Sequence, residues 1–167
     1  MAEDSALTQT AAFPAPSHDH DACIDDAVAR AESVCAERGE RLTPLRRRVL
    51  ELVWENHRPS RAYDLLEKLQ AERAGAAPPT VYRTLEFLQQ LGLVHRIESL
   101  NAFVGCDGPD GSHAGEFLIC EQCGAVAELA EPEVAAVVAR AAARTGFRVR
   151  RQTVEAFGTC PDCAGRA

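Results

Sequence analysis

"PPTVYRTLEFLQQLG" (residues 78–92), followed at once by "LVHRIESLNAFVGC" (93–106), is the stretch on which the fold turns. A proline pair opens the first run, where a missing N–H goes unmissed and a fixed φ suits the first helical turn. Val81, Leu85 and Leu88 then recur at helical spacing, and Gly92 stands where a helix terminates. In the second run the period drops from about 3.6 residues to about 2. "LVHRIES" and "AFVGC" alternate around Ser99 to Asn101, which predicts a β-hairpin. Helices followed by a hairpin make a winged helix, an architecture whose last helix enters the major groove of DNA while the hairpin rests against the backbone.

Upstream, the pattern supplies the other helices. "SRAYDLLEKLQAERAG" (60–75) repeats Ala62, Leu65, Leu66 and Leu69 from a start at Ser60. "TPLRRRVLELVWEN" (43–56) has Thr43 as N-cap, Pro44 at the first helical position and Val49, Leu50 and Val53 on one face. "DDAVARAESVCAER" (25–38) places Val28, Ala31, Val34 and Cys35 at helical spacing. Residues 1–22, rich in Ala, Ser, Thr, Asp and Pro, read as a disordered acidic tail. On the helix over 78–92 the apolar stripe points inward and leaves Thr80, Tyr82, Arg83 and Glu86 on other faces. Arginine grips guanine bidentately, and tyrosine or threonine reaches phosphate or a thymine methyl, so this set is suited to reading bases. Arg46, Arg47, Arg48, Arg58 and Arg61 are the candidates for phosphate contacts, although arginines are common on ordinary helix surfaces.

Downstream, "GPDGSHAG" (108–115) is turn-rich and marks a change of domain. "EFLIC" and "AVAEL" read as strands around a first C-x-x-C hook, Cys120 and Cys123. "EPEVAAVVARAAARTG" (131–146) reads as a helix and "FRVRRQTVEAF" (147–157) as a strand whose alternation slips near Gln152. A second hook follows, Cys160 and Cys163. Two residues between cysteines allow a tight turn that aims both sulfurs at one point, so the four thiolates can close tetrahedrally on a structural zinc. The expected class is α+β: a winged-helix DNA-binding domain over 23–107, an interdomain loop over 108–115, and a small αβ unit over 116–167. With so thin a core that unit should pair with a copy of itself, making a homodimer.

The net charge of -7 argues against a nucleic-acid partner only if it is averaged. Residues 1–40 sum to -7, residues 99–167 to -3, and residues 41–98 to +3, so the basic surface falls on the expected DNA reader. No apolar run approaches the roughly 20 residues that cross a bilayer, and the first residues lack a secretory pattern. A cytoplasmic protein is expected. Seven cysteines there argue for metal before disulfides.

With the hooks assigned, His95, Cys106, His113 and Glu128 remain as scattered ligand types from the hairpin, the loop and the strand after the first hook. A metal held by all four would fix the reader relative to the dimerising unit, and the thiolate favours zinc over iron or manganese. Such residues serve as often in purely structural roles. An open zinc site that activates water is the enzymatic alternative. A zinc deaminase, however, would show H-x-E ahead of P-C-x-x-C, whereas here the proline lies inside "CPDC" and no H-x-E occurs. A thiol redox switch fits poorly with thiolates closed around zinc.

"RLTPLRRRVLELV", "AYDLLEKL", "PPTVYRTLEFLQQLGLVHRIES", "FLICEQCGAV" and the terminal C-x-x-C, in this order, resemble the ferric uptake regulator family of bacterial metal-dependent repressors over about residues 25–163. Iron-sensing members carry a histidine-rich run before the first hook. Here "DGSHAGEFLIC" keeps only His113, and the chain resembles the family's zinc-sensing branch. The resemblance implies regulatory zinc ligands at His95, Cys106, His113 and Glu128, hence two zinc ions per chain. It implies a homodimer that represses zinc-uptake genes from an AT-rich palindrome, with base contacts at Tyr63 and Arg83. A sensor of iron, manganese or peroxide is the alternative within the fold. The long acidic tail departs from the family pattern.

Overall fold

The computed structural model describes residues 13, 20–56, 58–106, 115–129 and 131–166. Its elements are α1 (His20–Glu37), α2 (Pro44–Trp54), β1 (Ser60–Arg61), α3 (Ala62–Glu72), α4 (Pro78–Gln90), β2 (Val94–Ile97), β3 (Ala102–Gly105), β4 (Glu116–Cys120), β5 (Val126–Glu128), α5 (Pro132–Ala143), β6 (Val154–Gly158) and α6 (Pro161–Ala164). The fold is α+β, with a winged helix ahead of a second three-stranded sheet. One sheet has the order β1-β3-β2 and the other β5-β4-β6.

The first core joins the apolar stripes of α1 to α4. Ala31, Val49, Leu50, Leu65, Leu69, Val81, Leu85 and Leu88 are all buried there. Burying a Leu or Val side chain stabilises by about 1.5–3 kcal/mol, which is why these helices form as a set rather than singly. Thr43 caps α2 as expected, its side chain accepting from the Arg46 N–H at 3.4 Å. Gly92 has φ +70°, which lets the Leu93 N–H turn back to the Leu88 carbonyl at 2.9 Å and close α4.

Several boundaries differ from the sequence expectation. α1 begins at His20, five residues before Asp25, because Cys23 and Ile24 extend its apolar stripe onto the core. Residues 20–22, read as tail, are therefore helical. Ser60 and Arg61 do not open α3 but pair with Phe103 and Ala102 as the third strand of the first sheet. α3 then starts at Ala62, with Asp64 Oδ2 accepting from the Arg61 N–H at 3.4 Å. The strand expected over 147–157 is only β6, which begins just past the phase slip and runs parallel to β4.

The tip of the hairpin packs on the second sheet. Ile97, Leu100 and Val104 pack with Phe117, Ile119 and Val126 in a second small core. α5 is the opposite case. None of its residues is buried; Val137 is 53% exposed, and Phe147 just past the helix and Phe157 on β6 are also exposed. Among the described residues no helix is long and apolar enough to cross a membrane.

Candidate metal centres and DNA-reading surface

The first centre is built where β4 ends and α6 begins. Cys120 closes β4, Cys123 follows in a turn held by the Gly124 N–H on the Cys120 carbonyl at 2.9 Å, and Cys160 is the N-cap of α6. The Glu121 N–H donates to the Gly158 carbonyl at 2.9 Å, so the two hooks are tied by backbone as well as by sulfur chemistry. Cys123 Sγ lies 3.7 Å from Cys160 Sγ, and ligand atoms of all four cysteines fall within 4.8 Å of one another. Backbone N–H groups of Cys123 and Cys160 aimed at its sulfur draw the Cys120 thiol down to about 6. The Cys163 thiol is pushed up to about 12, first by its hydrogen bond to Cys160 and also by burial and the other sulfurs. Four thiolates this close repel one another unless a cation sits among them, and a four-sulfur donor set fits zinc.

The second centre lies between the wing and the second sheet. His95 is on β2 and Glu128 ends β5, and their Nε2 and Oε1 atoms are 2.9 Å apart. Cys106 follows β3 and is buried, its N–H donating to the Leu93 carbonyl at 3.1 Å. One ligand atom from each of the three falls within 4.8 Å of the others. His113, the fourth expected member, lies outside the described residues. Burial opposes a charge on His95, but hydrogen bonds to Cys106 and Glu128, and their negative charge, outweigh it and carry the imidazole up to about 10. Its neighbours thus favour the protonated form of the imidazole. A thiol, a carboxylate and an imidazole this close make a donor set that suits zinc.

Two side chains the sequence reading passed over, Trp54 and Arg30, stand beside the Gly105–Cys106 segment. Trp54, at the end of α2, lies so close to Gly105 that its indole fills the space a Cβ there would need. Arg30 of α1 stacks over the same indole with its guanidinium 5.9 Å from the ring centroid. Its Nη1 donates to the Cys106 carbonyl at 2.8 Å. An arginine interrupting the alanine-rich inner face of α1, and the chain's one tryptophan, were the available signals.

The candidate DNA face is divided. Tyr63, in the first turn of α3, is 65% exposed and Tyr82 on α4 is 53% exposed, both large apolar rings left in water. Arg83 and Arg61 are exposed beside them in the chain, and Thr80 is half-buried with its carbonyl accepting from Thr84. The arginines of α2 are otherwise engaged. Arg46 lies 3.3 Å above the Phe87 ring and donates to the Arg41 carbonyl at 2.6 Å. Arg47 bridges Glu32 at 2.9 Å and Glu51 at 3.2 Å, and Arg48 binds Glu72 at 2.6 Å.

The model of the ferric uptake regulator family matches residues 37–157. The chain is 42% identical over 139 residues to the zinc uptake regulation protein of Escherichia coli (strain K12), spanning 81% of this chain and 80% of that protein. Its structure is similar to a zinc uptake regulator complexed with zinc and DNA, with a TM-score of 0.81 at 40% identity over 86% of this chain and 96% of that one. Against holo XcZur the TM-score is 0.77 at 42% identity, covering 84% of this chain and 99% of that one. Against the apo form, with the same identity and 84% and 97% covered, it is 0.50.

Proposed function

Because the chain belongs to the ferric uptake regulator family, we propose that it is a zinc-responsive transcriptional repressor that binds operator DNA as a zinc-loaded homodimer ahead of zinc-uptake genes. It is a transcription regulator and not an enzyme. The observation that carries the zinc reading is the second cluster: His95 and Cys106 from the wing and Glu128 from the second sheet offer ligand atoms within 4.8 Å. Greater likeness to the holo than to the apo form of one relative supports the same reading of the domain arrangement.

In this reading each chain takes two zinc ions. Cys120, Cys123, Cys160 and Cys163 hold the structural one; His95, Cys106, His113 and Glu128 hold the regulatory one. Residues 23–107 form the DNA-binding domain, 108–115 the loop and 116–167 the dimerisation domain, whose uncovered α5 and β6 meet a second copy. Zinc at the regulatory cluster supplies the charge that balances thiolate and carboxylate. His95 gives up its proton to become a ligand, Cys106 keeps the end of β3 beside β5, and Glu128 receives the wing. The two copies of α4 are then held about one helical turn apart, the spacing of successive major grooves. Tyr63, Thr80, Tyr82, Arg83 and Arg61 face an AT-rich palindrome, and Arg46 and Arg47 join them by exchanging a protein partner for a phosphate. Such a protein works in the cytoplasm, beside the chromosome.

Retention of sheared DNA from the protein's own genome, at buffered low and high free zinc, tests this reading. A few palindromic sites ahead of transporter genes, retained only at high zinc and lost in Cys106→Ser, is the expected result. Equal retention in both conditions overturns it. Retention that follows iron or manganese and survives Cys106→Ser would mark a sensor of another signal.

A further inference from the structure

Among the described residues two carboxylates of the second sheet hold the wing besides its apolar packing, and only one of them belongs to the metal cluster. Glu128, Phe117 and Glu155 stand in one row across β5, β4 and β6, as the register pairs Phe117 with Glu128 on one side and with Glu155 on the other. Residues paired in register share a face of the sheet, and the Phe117 ring meets His95 edge-on at 5.4 Å on the wing-facing side. At one end of the row Glu128 takes the His95 side chain. At the other, Glu155 takes the backbone of the wing's turn: Oε1 accepts from the Glu98 N–H at 2.6 Å and Oε2 from the Ser99 N–H at 3.2 Å. The turn is shaped for this, since the Asn101 N–H donates to the Glu98 carbonyl at 3.3 Å and Asn101 itself has φ +47°. Arg151 approaches the Glu98 carboxylate at 3.6 Å from the same side but is 83% exposed, so little holding is assigned to it.

We propose that Glu155 is a positioning residue for the metal response: a latch that holds the wing turn on the second sheet without metal and so sets the zinc concentration at which the molecule closes. The inference rests on the regulatory reading above. Two adjacent N–H groups gripped by one carboxylate make charge-assisted bonds, the stronger class of hydrogen bond. They span more than fifty positions of chain and exist only when the two halves are together. Whatever favours the closed arrangement without touching the ligand raises the competent fraction, and the apparent affinity rises in proportion. Removing the latch lowers that fraction, yet excess zinc still restores it.

The test compares wild type, Glu155→Gln and Glu155→Ala as full-length homodimers with the four-cysteine centre loaded. Fluorescence of Trp54, the one tryptophan, follows zinc entering beside Cys106, and amide hydrogen exchange at Glu98 and Ser99 reads the latch directly. In Glu155→Ala the midpoint in buffered zinc should rise roughly tenfold, while binding to the DNA fragments retained by the wild type is regained at saturating zinc. Glu155→Gln, which keeps one acceptor, should fall between. Exchange at both amides should speed up in the alanine variant. Coincident midpoints, or unchanged exchange, overturn the proposal. A wild type with no zinc midpoint at all defeats the regulatory reading and the set-point role with it, and the exchange rates then decide whether the latch exists.

Discussion

The regulatory candidate depends on single atoms. Gly105 has no side chain because the Trp54 indole fills that space, so Gly105→Ala must push either the ring or the end of β3. Overpacking of this kind loses about 1–3 kcal/mol, to be read by thermal unfolding of the zinc-loaded protein. A loss under about 0.5 kcal/mol would show the indole free to move. His95 carries a second prediction. Its pKa is raised from the ordinary 6.5 to about 10, so the proton stabilises the metal-free fold fully below pH 6.5 and that contribution fades as pH rises through 10. Zinc has to displace this proton. Affinity at the cluster should therefore strengthen about tenfold per pH unit for each proton released between those limits, measurable by chelator competition at pH 7 and pH 8. A pH-independent affinity would mean that His95 is already neutral.

Whole elements are where the sequence was most and least legible. The helices of the first core declared themselves because their stripes meet one another, and the cap at Thr43 and the stop at Gly92 are local chemistry. β1 was not legible: two residues, Ser60 and Arg61, become a strand only because β3 offers an edge, and no periodicity fits in so short a run. The four hook cysteines were readable from spacing. The second cluster was not readable that way, since His95, Cys106 and Glu128 meet through tertiary packing, and the resemblance to a family supplied what spacing lacked. Glu155 went unnoticed for the same reason, its partners being backbone atoms of a distant turn. α5 gives the prediction at this scale. An apolar helix with no buried residue has its partner elsewhere, so Val137→Glu with Val138→Glu should convert dimer to monomer in sedimentation while the four-cysteine centre stays loaded. A dimer that persists would put the interface on another face.

At the scale of the molecule, two cores of unequal size share one chain. The large one contains none of the hook cysteines; the small one, between the wing and β4, has few apolar side chains and sits on the strand that ends at Cys120. Cys120→Ser should accordingly unfold the second sheet and leave α1 to α4 folded, a change visible as loss of amide protection confined to residues beyond Gly115. Loss of protection throughout would show that the two halves fold as one. The pairing of β4 with β6 also fixes an order of events during synthesis. Every described residue of the first core has been synthesised by Phe103, but Cys120 waits for Cys160 and Cys163. Protease protection of ribosome-bound chains cut after each point and extended by a linker that spans the exit tunnel checks this, the first core resisting digestion well before the second sheet. Under the proposed function, a newborn chain acquires its reading helix early and the second half of its four-cysteine centre last, so scarce zinc should leave the reader folded ahead of the unit that completes a repressor.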